Sequence, residues 1–251
     1  MKSKPKNASR KTVQRRDILK RIGAAAPLVA IAAGTASAES TSSSEKTLHD
    51  KLAIREAIDN WVLYRDQGDW ERFRSVWHED GYMMATWFQG TFAEFTRVSR
   101  EGLEKGVNIL HFLGGTTIDL AGNRAVAQTK MNISQRAPVH DVMCDVNCVG
   151  RFYDFFEKRK GKWAIVLRRL TYEKDRMDPV DPSKRLSLDA KLLERFPVGY
   201  RHLAYLQTKV GYKVKEDMPG LDGPEAEALY AKGAAWLKGK SFDSLLHGTG
   251  R

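Results

Sequence analysis

Asp66 and His111 are the two residues whose types and surroundings could perform chemistry in this sequence. Asp66 falls in the last turn of a predicted helix, where the negative end of the helix dipole disfavours a carboxylate. His111 stands in a short apolar segment predicted to be a strand. A carboxylate bound to the imidazole would hold one ring tautomer and stabilise the protonated ring. Together they would form a general base that works near neutral pH.

Each of these residues also has an ordinary structural explanation when it is considered alone. A carboxylate at a helix end can be solvated, and a lone histidine in an apolar strand is more often a satisfied core residue. Asp69, close to Asp66 in sequence, is explained as the N-cap of a second short helix. The catalytic hypothesis therefore requires that Asp66 and His111 meet in space.

The spacing of apolar residues predicts the elements that would bring the pair together. A helix is expected over 48–67, ended by Gly68, and a shorter one is expected from Asp69 to a break at Gly81. An aromatic-rich strand over 82–88 and a helix over 92–105 follow. The expected β segments after them are 108–113, 116–120, 125–136, 141–158 and 162–174.

This order of elements predicts an α+β fold. We expect a conical, curved antiparallel sheet packed with N-terminal helices, a cystatin-like α+β barrel formed by residues 47–178, whose interior provides a pocket. Residues 179–251 are expected to form a C-terminal helical extension that packs on the barrel, with its mouth as one candidate position.

The basic charge is concentrated at the N-terminus. The chain carries a formal net charge of +11, but residues 1–38 hold nine Lys or Arg and one Asp, which leaves 33 basic and 30 acidic residues elsewhere. A remainder of +3 gives no reason to expect nucleic-acid binding. Arg15 and Arg16, the apolar run over 22–34 and the small residues over 36–38 resemble a twin-arginine signal peptide. We expect a periplasmic protein with a linker over 39–46 and no membrane association after the signal is removed.

Cys144 and Cys148 are the two cysteines of the chain. On one strand they would lie roughly 13 Å apart, which is beyond the reach of a disulfide. We therefore expect two buried thiols. The sequence also has no metal-ligand cluster, phosphate loop or nucleotide motif, so neither a metal nor a cofactor is predicted.

Three motifs resemble those of a known family: HFLGGT at 111–116, Asp-x-x-Asp-Trp at 66–70 and Gly-Lys-Trp at 161–163. Residues 48–175, about half of the chain, are similar to the SnoaL-like branch of the nuclear-transport-factor-2-like superfamily, which includes scytalone dehydratase, hexachlorocyclohexane dehydrochlorinase and ketosteroid isomerase. The resemblance implies that His111 and Asp66 are catalytic. It also implies that Arg168 corresponds to a pocket arginine of the dehydrochlorinase.

The sequence departs from this family pattern around the predicted pocket. Trp61 stands where the dehydrochlorinase has a lysine, and Arg65 replaces a pocket tyrosine of the dehydratase. The dehydratase has a second pocket histidine in the region where this chain has Asn132, Ser134 and Gln135. The reaction class should therefore transfer better than the substrate. The predicted substrate-binding residues are Tyr82, Met84, Trp61, Asn132 and Ser134.

Alternation along the strands leaves some orientations open. Arg168 and Arg169 must point to opposite faces of a strand, so that only one can enter the cone. Asp145 and Asn147 share one face, which is either solvent or pocket. His202 could belong to a lid over the pocket or to ordinary surface packing.

The sequence therefore favours a cofactor-independent lyase that acts on a small hydrophobic, aromatic or ring-bearing compound. His111 would abstract a proton, Asp66 would orient it, and Arg168 with Tyr82 or Ser134 would stabilise negative charge. Water, halide or formaldehyde are the candidate leaving groups. An isomerase that uses the same proton abstraction and a non-catalytic ligand-binding protein are the alternatives. The resemblance also implies a homodimer or homotrimer.

Overall fold

The computed structural model describes residues 32–246, which divide at Ser44. The part from 32 to 43 is helical, and residues 44–246 form one compact unit that carries all the features described below. The elements are α1 (Ala32–Gln67), α2 (Trp70–Arg74), β1 (Trp77–Met84), β2 (Gln89–Thr91), α3 (Phe92–Glu104), β3 (Asn108–Ala121), β4 (Arg124–Val139), β5 (Val142–Arg159), β6 (Lys162–Pro179), α4 (Ala190–Glu194), α5 (Arg201–Lys209), α6 (Pro224–Leu237) and α7 (Asp243–Leu246).

The strands form one curved six-stranded sheet in the order β2-β1-β6-β5-β4-β3. The predicted α+β class is confirmed. Neighbouring strands are antiparallel except β1 and β6, which are parallel, so the expectation of a wholly antiparallel sheet was wrong in this one pair. The reason is that β1 and β6 are far apart in sequence, so that no hairpin forces them to run in opposite directions.

Irregularities in the strand pairing bend the sheet. Pairing shifts between Leu113 and Thr116 on β3, and between Val149 and Gly150 on β5. Such bulges increase the local bend and twist of a strand. Gly150 is required at its bend because a Cβ there would overlap the Thr171 carbonyl oxygen of β6. The first irregularity also explains why the sequence indicated two short strands over 108–120 where the structure has one.

Two boundaries near the N-terminus differ from the prediction. Helix α1 already includes residues 39–46, which were expected to be a linker. Helix α2 ends at Arg74, and β1 already begins at Trp77. Gly81 therefore lies within a strand and does not end a helix.

The predicted signal peptide lies mostly outside the described residues, because its arginine pair and the start of its apolar run fall within residues 1–31. Export therefore stays a prediction. Within residues 32–246, no helix is both long and apolar enough to cross a membrane.

Helices cover both faces of the sheet. We call the face that packs against α1, α2, α3 and α5 the inner face, and the opposite face the outer face. Trp61 of α1, Phe73 of α2 and Phe95 of α3 pack together over the inner face. Leu203 and Leu206 of α5 belong to the same core. The inner face also buries Cys144 and Cys148 as free thiols, as predicted.

Helix α6 of the C-terminal extension covers the outer face. Leu229 and Trp236 pack against Tyr153 and Phe155 of β5 in a separate apolar cluster. The Trp236 indole N–H donates to the Phe156 carbonyl oxygen at 3.2 Å. The extension is therefore not confined to the mouth of the barrel, because α5 and α6 lie on opposite faces of the same sheet.

Gly233, in the middle of α6, permits the close approach of this helix to the sheet. A Cβ at Gly233 would overlap the Tyr153 hydroxyl, and the ring behind it cannot move freely because it is buried. We predict that Gly233→Ala lowers the free energy of unfolding by about 1–3 kcal/mol, despite the better helix propensity of alanine.

The matched background is Tyr153→Phe, which removes only the hydroxyl. In the Tyr153→Phe background, Gly233→Ala should lower the free energy of unfolding by clearly less. Urea unfolding curves of the unmodified protein, the two single variants and the double variant provide the comparison. An equal cost with and without the hydroxyl would show that helix packing does not depend on this contact.

Candidate functional site

Asp66 of α1 holds His111 of β3 through two hydrogen bonds. The His111 ring Nδ1 lies 2.9 Å from Asp66 Oδ1, and the His111 backbone N–H donates to Asp66 Oδ2 at 2.7 Å. One carboxylate therefore fixes both the backbone and the ring of the histidine. The sequence prediction that these two residues meet agrees with this geometry.

The end of α1 is built to place Asp66 against β3. Gly68 has a positive φ of 73°, which ends the helix, and Asp69 then caps α2 by accepting from the Arg72 backbone N–H at 3.1 Å. Arg65 Nη1 donates to the Ile109 carbonyl oxygen at 3.0 Å and lies 3.3 Å from Asp66 Oδ1. The helix dipole disfavours the Asp66 carboxylate at this end of α1, and the contacts with His111 and Arg65 offset that effect.

Burial controls the protonation of His111. The side chains of His111 and Asp66 are only 7% and 11% exposed. Burial lowers the pKa of His111 below its ordinary value of 6.5, while the hydrogen bond and charge of Asp66 oppose this shift. The ring is therefore neutral at pH 7. Because an ionised carboxylate only accepts hydrogen bonds, we assign the ring proton to Nδ1, which leaves Nε2 as a free base.

His111 lines a narrow cavity on the inner face. Aromatic rings dominate its wall, and Trp61 contacts the His111 ring edge-on with centroids 5.4 Å apart. The full lining comprises Trp61, Arg65, Met83, Ala85, Thr86, Trp87, Phe95, Ile109, His111, Ile133, Gln135, Phe152, Leu170, Tyr172 and Gln207. Such a wall suits a flat, apolar compound.

Three polar atoms in this wall lack hydrogen-bond partners among the described residues: the Trp61 indole nitrogen, the Tyr172 hydroxyl and Arg65 Nε. The Trp61 and Tyr172 side chains are almost completely buried, with 1% exposure each. Thr86 lies close enough to Tyr172 to lower its pKa slightly, but no hydrogen bond of standard geometry forms between them. Burial nevertheless raises the Tyr172 pKa, so its hydroxyl stays protonated as a donor. Unpaired buried donors are costly and indicate groups available to a ligand.

Arg168 does not line the cavity, contrary to its predicted role in charge stabilisation. Its side chain is completely buried and forms two hydrogen bonds of 2.7 Å each with Asp154 of β5. Its guanidinium also stacks on Phe152 and Trp61, at 3.7 and 4.3 Å from the ring centroids. It therefore lies behind the aromatic wall. Of the two neighbouring arginines, Arg168 faces inward as expected, but its charge is engaged by Asp154.

Tyr82 and Met84 also lie outside the cavity, which corrects the predicted pocket. Both pack with the outer-face cluster under α6. Their neighbours Met83 and Ala85 line the cavity instead. The prediction chose the wrong face because α6 buries the outer face, so apolar side chains occupy both sides of β1.

The same correction applies to Asn132 and Ser134 on β4. The inward positions are Ile133, which pairs with His111 of β3, and Gln135. Asn132 and Ser134 therefore point to the outer face. Asn132 donates to the Asn147 side chain at 3.3 Å. This contact settles the orientation of Asn147, which faces outward and not into the pocket.

His202 forms a second histidine–aspartate pair, with Asp175 of β6, but it does not line the cavity that contains His111. Asp175 Oδ1 lies 2.8 Å from His202 Nδ1, and Asp175 Oδ2 accepts from the backbone N–H groups of His202 and Leu203. These N–H groups belong to the first turn of α5. Asp175 therefore serves as a helix cap supplied by the sheet, and the pair attaches α5 to β6.

Sequence reasoning missed three polar residues of the cavity lining. Thr86, Tyr172 and Gln207 carry no motif, and Gln207 belongs to the extension outside the family resemblance. The helical spacing of α5 was the only available signal for Gln207. Among residues 32–246, no group of three His, Cys, Asp or Glu residues is arranged to hold a metal ion.

The chain thus combines a curved α+β barrel with an Asp–His pair at the wall of an apolar cavity. The chain belongs to the SnoaL-like domain family, whose model matches residues 46–169. Pea pathogenicity protein 2 of Fusarium vanettenii is 37% identical over 205 residues, which cover 77% of this chain and 88% of that protein. An uncharacterized protein of Emericella nidulans is 34% identical over 210 residues, which cover 77% and 88%.

Among solved structures, a hexachlorocyclohexane dehydrochlorinase matches with a TM-score of 0.45 and 11% identity, covering 57% of this chain and 97% of that chain. The family model and the relatives, not this structural match, confirm the family resemblance in the sequence. The names of these relatives do not establish a substrate for this chain.

The buried Arg168–Asp154 pair generates a stability prediction. Burial raises the pKa of Asp154 while Arg168 opposes that shift, so each charge depends on the other. We predict that Arg168→Leu alone costs about 3–5 kcal/mol of unfolding free energy because it leaves Asp154 buried and unpaired. The double variant Arg168→Leu/Asp154→Leu should recover most of this loss in urea unfolding. A double variant as unstable as the sum of the two single variants would contradict the pairing.

Proposed function

We propose that this protein is a cofactor-independent lyase that uses Asp66 and His111 to remove a proton from a small, ring-bearing hydrophobic compound. The observation that carries this proposal is the double hydrogen bond from one carboxylate to the backbone and ring of His111 at the wall of an enclosed aromatic cavity. A binding protein for apolar ligands has no need of such a pair, whereas a general base requires it.

In the proposed reaction, His111 Nε2 accepts a proton from a substrate carbon or hydroxyl group. The electron pair of the broken bond forms a new double bond, and the leaving group departs with the electron pair of its own bond. Asp66 keeps the ring in position and stabilises the imidazolium while the proton resides on it. The imidazolium then returns the proton to the leaving group or to solvent.

The sequence predicted that Arg168, with Tyr82 or Ser134, stabilises negative charge. In the proposed mechanism other residues stabilise this charge. The unpaired donors of Trp61 and Tyr172 belong to the cavity wall and are available for an oxygen that gains negative charge. A neutral donor held in a site without competing water stabilises such charge effectively. The aromatic walls supply the remaining affinity for a flat ring.

An isomerase is the second candidate, and the burial of the His111 side chain, which is 7% exposed, is the observation that favours it. A proton held on His111 away from solvent could return to a different carbon of the same substrate. Analysis of the products separates the two reactions, since only a lyase releases a second fragment. The twin-arginine export to the periplasm and the homodimer or homotrimer stay predictions of the sequence.

The first prediction from this mechanism concerns the dyad itself. A substrate is first identified by a thermal-shift screen of aromatic compounds. With that substrate, His111→Ala should lower kcat by about 10²–10⁴-fold, because the general base is lost. Asp66→Asn should also lower kcat by at least about 10²-fold, since the ring loses its fixed tautomer and its counter-charge.

The matched control is His49→Ala, which removes an exposed histidine from the same helix that carries Asp66. Its kcat should equal that of the unmodified protein. Turnover within a few-fold of the original in both dyad variants would show that the base lies elsewhere.

The second prediction concerns pH. Only the neutral imidazole can accept a proton, and burial lowers the His111 pKa below 6.5. The kcat/KM of the free enzyme should therefore fall on the acid side with an inflection below pH 6.5. Because Asp66 raises the His111 pKa, Asp66→Asn should move this inflection to still lower pH. An inflection above 6.5, or one that moves upward in the variant, would contradict the assignment.

A further inference from the structure

A second, smaller cavity lies beside the one that contains His111, and Arg65 lines both of them. Its remaining wall includes Ser99 and Gly102 of α3 and Tyr212 of the C-terminal extension. We call it the α3 cavity. Its free space is about that of one water molecule. The α3 cavity is therefore too small for a ring-bearing compound and suits a ligand of one or two atoms.

Two buried polar atoms of this lining have no hydrogen-bond partner among the described residues: Arg65 Nε and Ser99 Oγ. Arg65 and Ser99 are only 9% and 5% exposed. Arg65 uses Nη1 for the Ile109 carbonyl oxygen and for Asp66, which leaves the Nε–H group without an acceptor. A serine inside a helix can donate to the carbonyl one turn earlier, but Ser99 forms no such bond. Both atoms are therefore available to a ligand.

The Tyr212 hydroxyl is a third donor, and it lies close to Ser99. A Cβ at Gly102 would be 3.8 Å from the Tyr212 hydroxyl oxygen. Gly102 follows Ser99 by one turn of α3, which separates their Cβ positions by roughly 5–6 Å. Burial raises the pKa of Tyr212 and the charge of Arg65 opposes this rise, so the hydroxyl is protonated and within electrostatic reach of the guanidinium. One cationic N–H group and two hydroxyl groups thus belong to the same small cavity.

The charge and size of the α3 cavity define the ligand class. Among the described lining residues there is no Asp, Glu, Asn, Gln or His side chain, and Arg65 is the only charged one. Arg65 stays protonated at ordinary pH, and its partner Asp66 is shared with His111 through two hydrogen bonds. A cation would therefore be repelled, and a carboxylate or phosphate would exceed the space. A single-atom anion, which only accepts hydrogen bonds, matches both the donors and the size.

We propose that the α3 cavity binds a halide ion, with Arg65 Nε–H and the hydroxyl groups of Ser99 and Tyr212 as its donors. The ion complements a buried guanidinium whose carboxylate partner is already shared with an imidazole. This site differs from the substrate cavity in size, lining and ligand. Halide binding does not depend on the proposed function, whereas any effect of the halide on turnover rests on it.

A bound halide should also act on the dyad through Arg65. Burial lowers the pKa of His111, Asp66 raises it, and the charges of Arg65 and Arg168 lower it further. A negative ion beside Arg65 would oppose the effect of that arginine. The NMR titration of the His111 ring should therefore move to higher pH in sodium bromide than in sodium gluconate of equal ionic strength.

The binding experiment follows the Arg65 Nε–H signal of the full chain by ¹H–¹⁵N NMR during a titration with sodium bromide. Sodium gluconate keeps the ionic strength constant, because the gluconate ion is too large for the α3 cavity. We expect a saturable shift of this signal, which gives the Kd for bromide. Ser99→Ala and Tyr212→Phe each remove one hydroxyl donor to the ion, and each should raise this Kd about tenfold.

The matched controls are Ser44→Ala and Tyr82→Phe, which make the same substitutions elsewhere. Ser44 is exposed on α1, and Tyr82 packs in the outer-face cluster, so neither variant should change the Kd for bromide. His111→Ala should also keep bromide binding at neutral pH, because the neutral ring carries no charge, even though turnover is lost. This variant separates the halide site from the proposed catalysis.

Two results would overturn the halide site. One is an Arg65 Nε–H signal that does not respond to bromide, or that shifts linearly without saturation. The other is a saturable shift with the same Kd in the unmodified protein, Ser99→Ala and Tyr212→Phe, because bromide would then bind elsewhere. Turnover that survives in the dyad variants would contradict the proposed function and leave the halide site intact.

Discussion

The bond between the Asp66 carboxylate and both N–H groups of His111 is the interaction on which the site depends. It crosses from the end of α1 to β3, and Arg65 reinforces it by binding the Ile109 carbonyl on the same strand. Because the carboxylate accepts from the backbone as well as the ring, the imidazole cannot rotate without breaking the junction between helix and sheet. Tertiary structure and ring orientation are therefore set by the same contact.

The rest of the barrel isolates this contact from water. Trp61 and Phe152 pack against the His111 ring, and the buried Arg168–Asp154 pair lies behind them. Helix α5 brings Gln207 to the cavity wall from a part of the chain that lies beyond the strands. The burial that lowers the His111 pKa includes the packing of Trp61 and Phe152 against the ring. The same enclosure strengthens any hydrogen bond made to a substrate.

Local sequence signals were sufficient for the framework and for the dyad. The apolar spacing, Gly68 and the Asp69 cap located the end of α1, and the turn residues located the long strands. The predicted meeting of Asp66 and His111 came from the family motifs and from the need to compensate a carboxylate at a helix end. The buried thiols followed from strand geometry alone.

The face to which each strand residue points could not be derived in the same way, because α6 gives the outer face an apolar cluster of its own. Alternation separates Tyr82 from Met83 and Asn132 from Ile133, but it does not reveal which of the two faces the cavity. Pairing of His111 with Ile133 decides the matter for β4, and such long-range register is not visible in local patterns. Arg168 was misassigned for a related reason, since its partner Asp154 lies on the neighbouring strand and had no motif.

The most direct test of the central claim is ¹⁵N NMR of the His111 imidazole at pH 7, with the signals assigned by comparison with His111→Ala. The account predicts a neutral ring whose proton resides on Nδ1, bound to Asp66, with an unprotonated Nε2 whose chemical shift responds to ligands in the cavity. A proton on Nε2 with a bare Nδ1, or a ring that is fully charged at this pH, would contradict it.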